Sequence, residues 1–199
     1  MRIAIFSDIH DNIWTLQAAL RWVQDADALI CCGDLCSPFI IDRLANGFSG
    51  LVHIVFGNND GDRFRMAQNA ARFAHVKLWG EFAAIPPELT DGRRFAVTHW
   101  PILAEPLAAS GLYDVVCYGH DHQLAQRRVG ATLVINPGEL MGGLTGTATF
   151  VAYDTERDAV STYEVTYVQF AADGSDDGKR VAEPARGAEL PAPAETGGS

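Results

Sequence analysis

Apolar residues in the first 170 positions form short runs that alternate with more polar stretches. The early runs contain few polar positions, which is typical of strands that are covered on both faces. The last two runs alternate apolar with polar residues and flank residues 154–158, which predicts a hairpin. The predicted strands are residues 2–6, 28–32, 51–56, 95–98, 114–118, 132–135, 149–153 and 160–168.

A second pattern, with a helical period, lies between the strands. In residues 12–25, four apolar side chains recur at spacings of three and four residues and form one face of a helix. Asp11 or Asn12 can cap this helix, because each carries an oxygen that accepts from the free amides of the first turn. Strands that alternate with helices predict an α/β fold. Weaker helices are predicted over residues 37–45, 61–73 and 101–110.

The composition changes near residue 171. Residues 171–199 are rich in Gly, Pro, Ala and Glu and contain almost no large apolar side chains. Such a segment cannot bury enough apolar surface to offset the entropy that it would lose on ordering. We therefore predict one domain, residues 1–170, followed by a flexible C-terminal tail, residues 171–199.

The formal net charge is −10 at pH 7. A general nucleic-acid-binding protein presents a basic face, so this charge argues against that class. It does not argue against a small phosphorylated substrate, because bound divalent cations supply local positive charge. No apolar stretch is long enough to span a membrane, and the first residues are typical of a strand rather than of a signal peptide. We expect a cytoplasmic protein without membrane contact, and homo-oligomer formation stays open.

The four cysteines do not form a disulfide or zinc-binding pattern. Cys31 and Cys32 are adjacent in an apolar run, and no paired CxxC grouping occurs. We interpret the cysteines as small buried apolar residues in a reducing compartment.

Five of the predicted strands end in residues that can bind a metal ion. In an open α/β sheet, ligands bind beyond the carboxyl ends of the strands, so adjacent strands would bring these residues to one edge. Four of the six histidines lie in these clusters. The clusters are Asp8-Ile9-His10, Gly33-Asp34, Gly57-Asn58-Asn59-Asp60, His99 and Gly119-His120-Asp121-His122.

Each cluster by itself has an ordinary structural interpretation. Gly33-Asp34 is typical of a turn, and His99 alone would be a buried histidine with satisfied hydrogen bonds. The joint occurrence at five strand ends is what these interpretations leave unexplained. Carboxylate, amide and imidazole ligands together favour manganese, iron, nickel or zinc. Since no thiolate belongs to the set, a structural zinc site is not expected.

Taken as an ordered set, the clusters resemble the five motifs of the calcineurin-like metallophosphoesterases. The short spacing and the turn Ile135-Asn136-Pro137-Gly138 resemble the compact bacterial and archaeal phosphodiesterase branch of this superfamily. The resemblance covers residues 1–168. It implies a four-layer αββα sandwich, in which two mixed sheets pack together and helices cover their outer faces.

The resemblance also implies a role for each residue of the set. Two divalent ions are implied, with Mn²⁺ as the first choice and Fe, Ni or Zn as alternatives. Asp34 would bridge the ions and position a hydroxide between them for in-line attack on phosphorus. The first ion would be held by Asp8, His10 and His122, and the second by Asn58, His99 and His120.

This chain departs from many relatives at two positions of the implied site. Asn59 stands where many relatives carry a histidine that contacts the phosphate. Its amide can donate a hydrogen bond to the phosphate, so Asn59 is a candidate substrate contact, but it cannot act as a general acid at neutral pH. Trp100 follows His99 and either stacks on a substrate base or packs against the sheet edge. Asn12 either contacts phosphate or only caps its helix. Asp60 is expected to orient the Asn58 loop.

We therefore predict a metal-dependent phosphoesterase, with a phosphodiesterase favoured over a monoesterase. A binding or scaffold module that has kept the fold and lost catalysis is one alternative, as in the retromer subunit of this fold. A protein or dinucleotide phosphatase is another, although such enzymes usually carry the histidine that is absent at Asn59, and arginines near the site.

Overall fold

The computed structural model describes residues 1–166 and residues 185–186 of the chain. The helices are α1 (Ile13–Trp22), α2 (Phe39–Gly47), α3 (Arg63–Ala70) and α4 (Pro101–Ala109), and a 3-10 turn spans Pro87–Leu89. The strands are β1 (Arg2–Phe6), β2 (Ala28–Cys31), β3 (Leu51–Ile54), β4 (Val76–Leu78), β5 (Phe82–Ile85), β6 (Phe95–Thr98), β7 (Val115–Cys117), β8 (Leu124–Val129), β9 (Thr132–Pro137), β10 (Ala148–Asp154), β11 (Ala159–Val165) and β12 (Ala185–Arg186).

The strands form two mixed sheets. The seven-stranded sheet has the order β12-β11-β10-β1-β2-β3-β4, and the five-stranded sheet has the order β5-β6-β7-β9-β8. In the first, β1 to β4 are parallel to one another, whereas β10 to β12 add antiparallel strands beside β1. In the second, β6, β7 and β9 are parallel, and the edge strands β5 and β8 are antiparallel. The predicted pair of mixed sheets is confirmed.

Side-chain alternation along the strands divides the apolar core into layers. In β1, Ile3 and Ile5 lie in the cluster between the sheets, whereas Ala4 and Phe6 lie in the cluster that contains α1, α2 and α3. Successive strand residues point to opposite faces, so a strand covered on both faces must be apolar throughout. Helix α4 covers the outer face of the five-stranded sheet. The result is the expected four-layer sandwich.

All eight predicted strands and all four predicted helices are present, with ends that differ by a few residues. The hairpin between β10 and β11 is also confirmed. The sequence did not predict β8, whose half-exposed residues carry little apolar signal. This edge strand exists because its backbone pairs with β9 over its whole length, from Leu124 to Val129.

Most of the predicted tail, residues 171–199, lies outside the described residues, as do positions 167–168 of the last predicted strand. Two residues of the tail are described: Ala185 and Arg186 pair antiparallel with β11, a strand that the sequence did not predict. Among the described residues, none of the helices combines the length and the apolar composition that crossing a membrane requires.

Candidate metal centre

The loops that follow β1, β2, β3, β6 and β7 meet at one edge of the two sheets. Backbone hydrogen bonds join them: the Asp8 amide donates to the Gly33 carbonyl at 3.1 Å, and the Gly119 amide to the His99 carbonyl at 3.2 Å. The His120 amide donates to Asp8 Oδ2 at 3.2 Å, which links the loops of the two sheets. All seven predicted ligands follow these strand ends.

Five of the seven predicted ligands have a left-handed backbone. Residues other than Gly, Asn and Asp rarely adopt positive φ, so at the three histidines this conformation persists only because the surrounding structure imposes it. The tight turns aim consecutive side chains back toward the sheet edge. The φ angles are 51° at Asp8, 42° at His10, 55° at Asp34, 77° at His120 and 60° at His122.

Two glycines permit the loops to approach each other. A Cβ atom at Gly57 would lie 2.2 Å from Asp34 Oδ1, and one at Gly119 would lie 2.0 Å from Ser7 Oγ. Both distances are too short for any side chain. The glycines that precede Asn58 and His120 are therefore needed for the close packing of the site.

The first ligand group consists of Asp8, His10 and His122. Asp8 Oδ1 lies 3.7 Å from His10 Nε2 and 3.5 Å from His122 Nε2. The two imidazole rings stack with their centroids 5.2 Å apart. Ser7 Oγ donates to Asp8 Oδ2 at 2.6 Å, so the other oxygen, Oδ1, faces the two histidines.

The second ligand group consists of Asn58, His99 and His120. Asn58 Oδ1 lies 3.1 Å from His99 Nε2 and 2.8 Å from His120 Nδ1. Asp34 lies between the groups, because its Oδ2 atom is 3.4 Å from His10 Nε2 and also 3.4 Å from His99 Nε2. The structure thus brings all seven predicted side chains together, with Asp34 placed to serve both groups.

The donor atoms fit divalent metal ions. Ligands that bind one ion at about 2.1 Å, roughly at right angles or tetrahedrally, lie about 3.0–3.4 Å from each other, close to the spacing found here. Asp8 Oδ1 and His10 Nε2 are enclosed, and neither has a hydrogen-bond partner in the part of the chain that is described. Unpartnered buried polar atoms are costly, and a cation between them removes that cost.

The electrostatics of the cluster also favour a cation. The carboxylate of Asp8, 3.7 Å from Nε2, and secondly Cys36 raise the pKa of His10 to about 10. Burial opposes ionisation of Asp34, but hydrogen bonds from His99 and Asn59 outweigh burial and hold its pKa below the usual range. The site therefore keeps its negative charge and attracts protons to its imidazoles, which a divalent metal can displace.

Asp60 lies outside both ligand groups. Its carboxylate is buried and accepts hydrogen bonds from the amides of Asp34, Leu35, Cys36 and Gly57 at 2.7–3.2 Å. It therefore ties the loop after β2 to the loop after β3, and the expectation that Asp60 orients the Asn58 loop is confirmed.

The sequence did not predict the groups that bind the second ring nitrogen of three ligand histidines. Glu139 Oε2 lies 2.6 Å from His122 Nδ1, and Cys36 Sγ lies 3.4 Å from His10 Nδ1. The backbone carbonyl of Cys32 holds His99 Nδ1 at 2.8 Å. In each case one ring nitrogen is held and the other faces the cluster, the usual arrangement of metal-binding histidines. The only sequence signal was that Glu139 directly follows the predicted Ile135-Asn136-Pro137-Gly138 turn, of which the first three residues prove to be the end of β9.

The predicted substrate contacts occupy different environments. The backbone amide and the Nδ2 group of exposed Asn59 both donate to Asp34 at 2.8 Å. Trp100 is half-buried, and its ring lies 4.9 Å from the His120 ring, between centroids. Asn12 caps α1 through Thr15 and donates to the Met141 carbonyl, so the capping interpretation describes its contacts.

Arg63 is not directed at the cluster. Its guanidinium donates to the Gly57 carbonyl and to Glu81, each at 2.7 Å, and lies over the Phe56 ring. This arginine holds the third loop from outside, through Gly57, and pairs with Glu81.

Comparisons with known proteins show the family of this chain. The sequence model of the calcineurin-like phosphoesterase superfamily domain matches residues 1–158. Phosphodiesterase MJ0936 of Methanocaldococcus jannaschii is 35% identical over 161 residues, which cover 79% of this chain and 95% of the relative.

Solved structures show the same fold. A structure described as a novel archaeal phosphodiesterase has a TM-score of 0.76 and 32% identity, and the match covers 82% of this chain and 99% of that one. Vps29 of Entamoeba histolytica, complexed with zinc, has a TM-score of 0.59 at 18% identity and covers 94% of this chain and 98% of its own. The second likeness concerns the fold alone. The chain belongs to the calcineurin-like phosphoesterase superfamily.

Proposed function

We propose that this chain is a phosphodiesterase that uses two divalent ions, with Mn²⁺ as the first choice and Fe, Ni or Zn as alternatives. The position of Asp34 Oδ2, at 3.4 Å from a histidine of each ligand group, carries the proposal. A carboxylate in that position can serve two adjacent ions. This is the arrangement that two-metal phosphoryl transfer requires.

Bound at this edge, the two ions would supply the positive charge and the activated water for in-line displacement at phosphorus. Asp8, His10 and His122 would hold the first ion, and Asn58, His99 and His120 the second. Asn59 would keep Asp34 oriented through its two hydrogen bonds. Because strained loops already hold these side chains in place, little reorganisation is needed when substrate binds.

A diester is favoured over a monoester because the chain adds little positive charge to the site. A dianionic monoester gains from a further cationic or acidic contact, which Asn59 does not supply. Arg63, close to the third motif, is engaged with Gly57 and Glu81. A monoanionic diester needs less neutralisation beyond the metals. The same observations argue against a protein or dinucleotide phosphatase.

A scaffold protein of the same fold is the second hypothesis. Its main support is the fold shared with Vps29. A module that had lost catalysis would be expected to lose ligands, whereas suitable residues occupy all seven positions here. The enzyme is therefore the stronger proposal.

The test combines metal analysis with two assays on purified protein. After loading with Mn²⁺ and removal of excess metal, we expect two ions per chain. We also expect a higher kcat/KM for bis(4-nitrophenyl) phosphate than for 4-nitrophenyl phosphate, which shares its leaving group. Binding of two ions without hydrolysis of either ester would support the scaffold, and a strong monoester preference would contradict the assignment as a phosphodiesterase.

A further inference from the structure

Glu139 is a fully buried carboxylate behind the first ligand group. It directly precedes the loop of residues 140–147, which leads into β10. Burying a carboxylate is costly unless hydrogen bonds and positive charge compensate it. For Glu139 these compensating contacts come from the predicted ligand His122 and from the loop beside the metal centre.

The two carboxylate oxygens of Glu139 face two different partners. Oε2 lies 2.6 Å from His122 Nδ1. Oε1 accepts from the amides of Leu144 and Thr145, at 2.9 and 2.6 Å, and from Thr145 Oγ1 at 2.8 Å. One side chain thus joins a predicted metal ligand to the loop that begins at the next residue.

Only His122 is placed to compensate the charge of Glu139 in the described part of the chain. Within the described residues, His122 is its sole ion-pair partner, and neither lysine nor arginine lies within ion-pair distance. An imidazole that binds a divalent ion through Nε2 donates more strongly from Nδ1, and a carboxylate at Nδ1 is a common partner of such a histidine. The buried charge of Glu139 is therefore best compensated when His122 binds a cation through Nε2.

The same loop also contacts the other end of the first ligand group. The amides of Leu140 and Met141 donate to the carbonyls of Ser7 and Asp8, both at 2.9 Å. The Met141 carbonyl accepts from Asn12 Nδ2 at 2.8 Å. The loop is consequently attached to Asp8 through its backbone and to His122 through Glu139.

We propose that Glu139 is a positioning residue, which fixes His122 with a proton on Nδ1 and couples the first metal to the loop 140–147. The inference rests on the proposed ligand assignment. It adds that the two metals are held unequally, because Glu139 supports the first group alone. Loss of its carboxylate should weaken the first metal selectively and release the loop.

Glu139→Gln is the main test, with the exposed Glu88→Gln as the matched control. If the Gln oxygen faces His122, its NH₂ group faces the donors of Leu144 and Thr145, so both contacts cannot be kept. In a calorimetric Mn²⁺ titration, we expect one of two binding steps to weaken by about 10–100-fold in Glu139→Gln. His122→Ala must weaken the same step, whereas Glu88→Gln should change neither.

A second measurement separates positioning from a purely structural role. In nitrogen-15 spectra of the Zn²⁺-loaded protein, the His122 ring should show a slowly exchanging Nδ1 proton that Glu139→Gln loses. Thr145→Val removes one hydroxyl contact to Glu139 and leaves the His122 contact in place. It should therefore retain both the Mn²⁺ affinity and the ring signal.

Three results would overturn the proposal. Unchanged Mn²⁺ affinity in Glu139→Gln would show that the contact does not support the metal. Equal weakening of both steps would show that the support is not selective. A lower melting temperature of metal-free Glu139→Gln, with both Mn²⁺ affinities intact, would show that Glu139 is purely structural. If wild type itself binds no metal, the proposed function fails instead, so the two failures are distinguishable.

Discussion

Two histidines in this protein, His10 and His53, have opposite electrostatic surroundings. His10 at the metal edge and His53 in β3 each have a buried Nε2 atom without a hydrogen-bond partner among the described residues. Beside His10, Asp8 raises the ring pKa to about 10. Around His53, burial first and Lys77 second lower it to about 4.

The two histidines differ in whether carboxylates lie beside the unpartnered nitrogen. The side of β3 that carries His53 faces the apolar cluster between the sheets, and Trp79 Nε1 donates to His53 Nδ1 at 3.2 Å. No carboxylate is paired with His53 in the described chain, so a cation there would lack a counter-charge. An unpaired nitrogen alone is thus no sign of a metal site. Convergent carboxylates are required as well.

The largest expected effect comes from removing the charge of Asp34, since a nearby carboxylate is what distinguishes the surroundings of His10 from those of His53. Asp34→Asn should abolish stable binding of both ions, because Asp34 Oδ2 faces His10 and His99. The loss in kcat/KM should exceed the roughly 100-fold upper range for partners behind a ligand. Metal analysis and diester hydrolysis provide the measurement. Asp121→Asn is the control, since Asp121 bonds to Gln123 and Asn136 and should keep both ions.

The next effect concerns Asn59, which holds Asp34 and lacks an acidic proton. Asn59→His should raise the relative rate on esters with poor leaving groups, by about 10²-fold if the new imidazole acts as a general acid. The cost is the loss of the Asn59 Nδ2 bond to Asp34. The measurement is kcat/KM for matched alkyl and aryl esters. A ratio that does not change would refute this account of Asn59 without affecting the metal site.

The third prediction concerns His53, whose pKa is lowered, whereas that of His10 is raised. Its pKa is about 4 when folded, below the ordinary 6.5, so the unfolded chain binds more protons between these values. Stability is therefore lost as pH falls from 6.5 to 4, by on the order of 3 kcal/mol from this group. His53→Gln should lose less stability over that interval in urea unfolding of metal-free protein. An equal slope for both proteins would contradict the prediction, and metal content should not change.

The smallest effect is expected from removing residues 172–199. Only Ala185 and Arg186 of this segment are described, and they pair with β11 at the edge of the seven-stranded sheet. We expect less than about 1 kcal/mol of lost stability, or a shift of about 2–4 °C at most in the melting temperature. Thermal unfolding and diester hydrolysis of the truncated chain test this. A larger shift would identify the tail as a docked element.

The sequence pattern alone was sufficient for the α/β class and for the list of residues that can bind a metal, whereas the four-layer order came from the family resemblance. Runs such as Ile3 to Phe6 are apolar on both faces, and that pattern predicts a strand between two layers whatever its neighbours are. Parallel strands place their carboxyl ends together, so Asp8 and Asp34 could be assigned to one edge without coordinates. These are local rules of backbone geometry, and local sequence is enough to apply them.

The tertiary structure decided which polar groups support the site. Glu139 and His122 are 17 positions apart, and Cys36 and His10 are 26 apart. Strands β8 and β9 separate His122 from Glu139, and the half-exposed β8 carried too little apolar signal to be predicted. His10 and His53 carry the same side chain, and only their neighbours set their pKa values in opposite directions. Distances between residues remote in sequence depend on packing, because no local rule relates them.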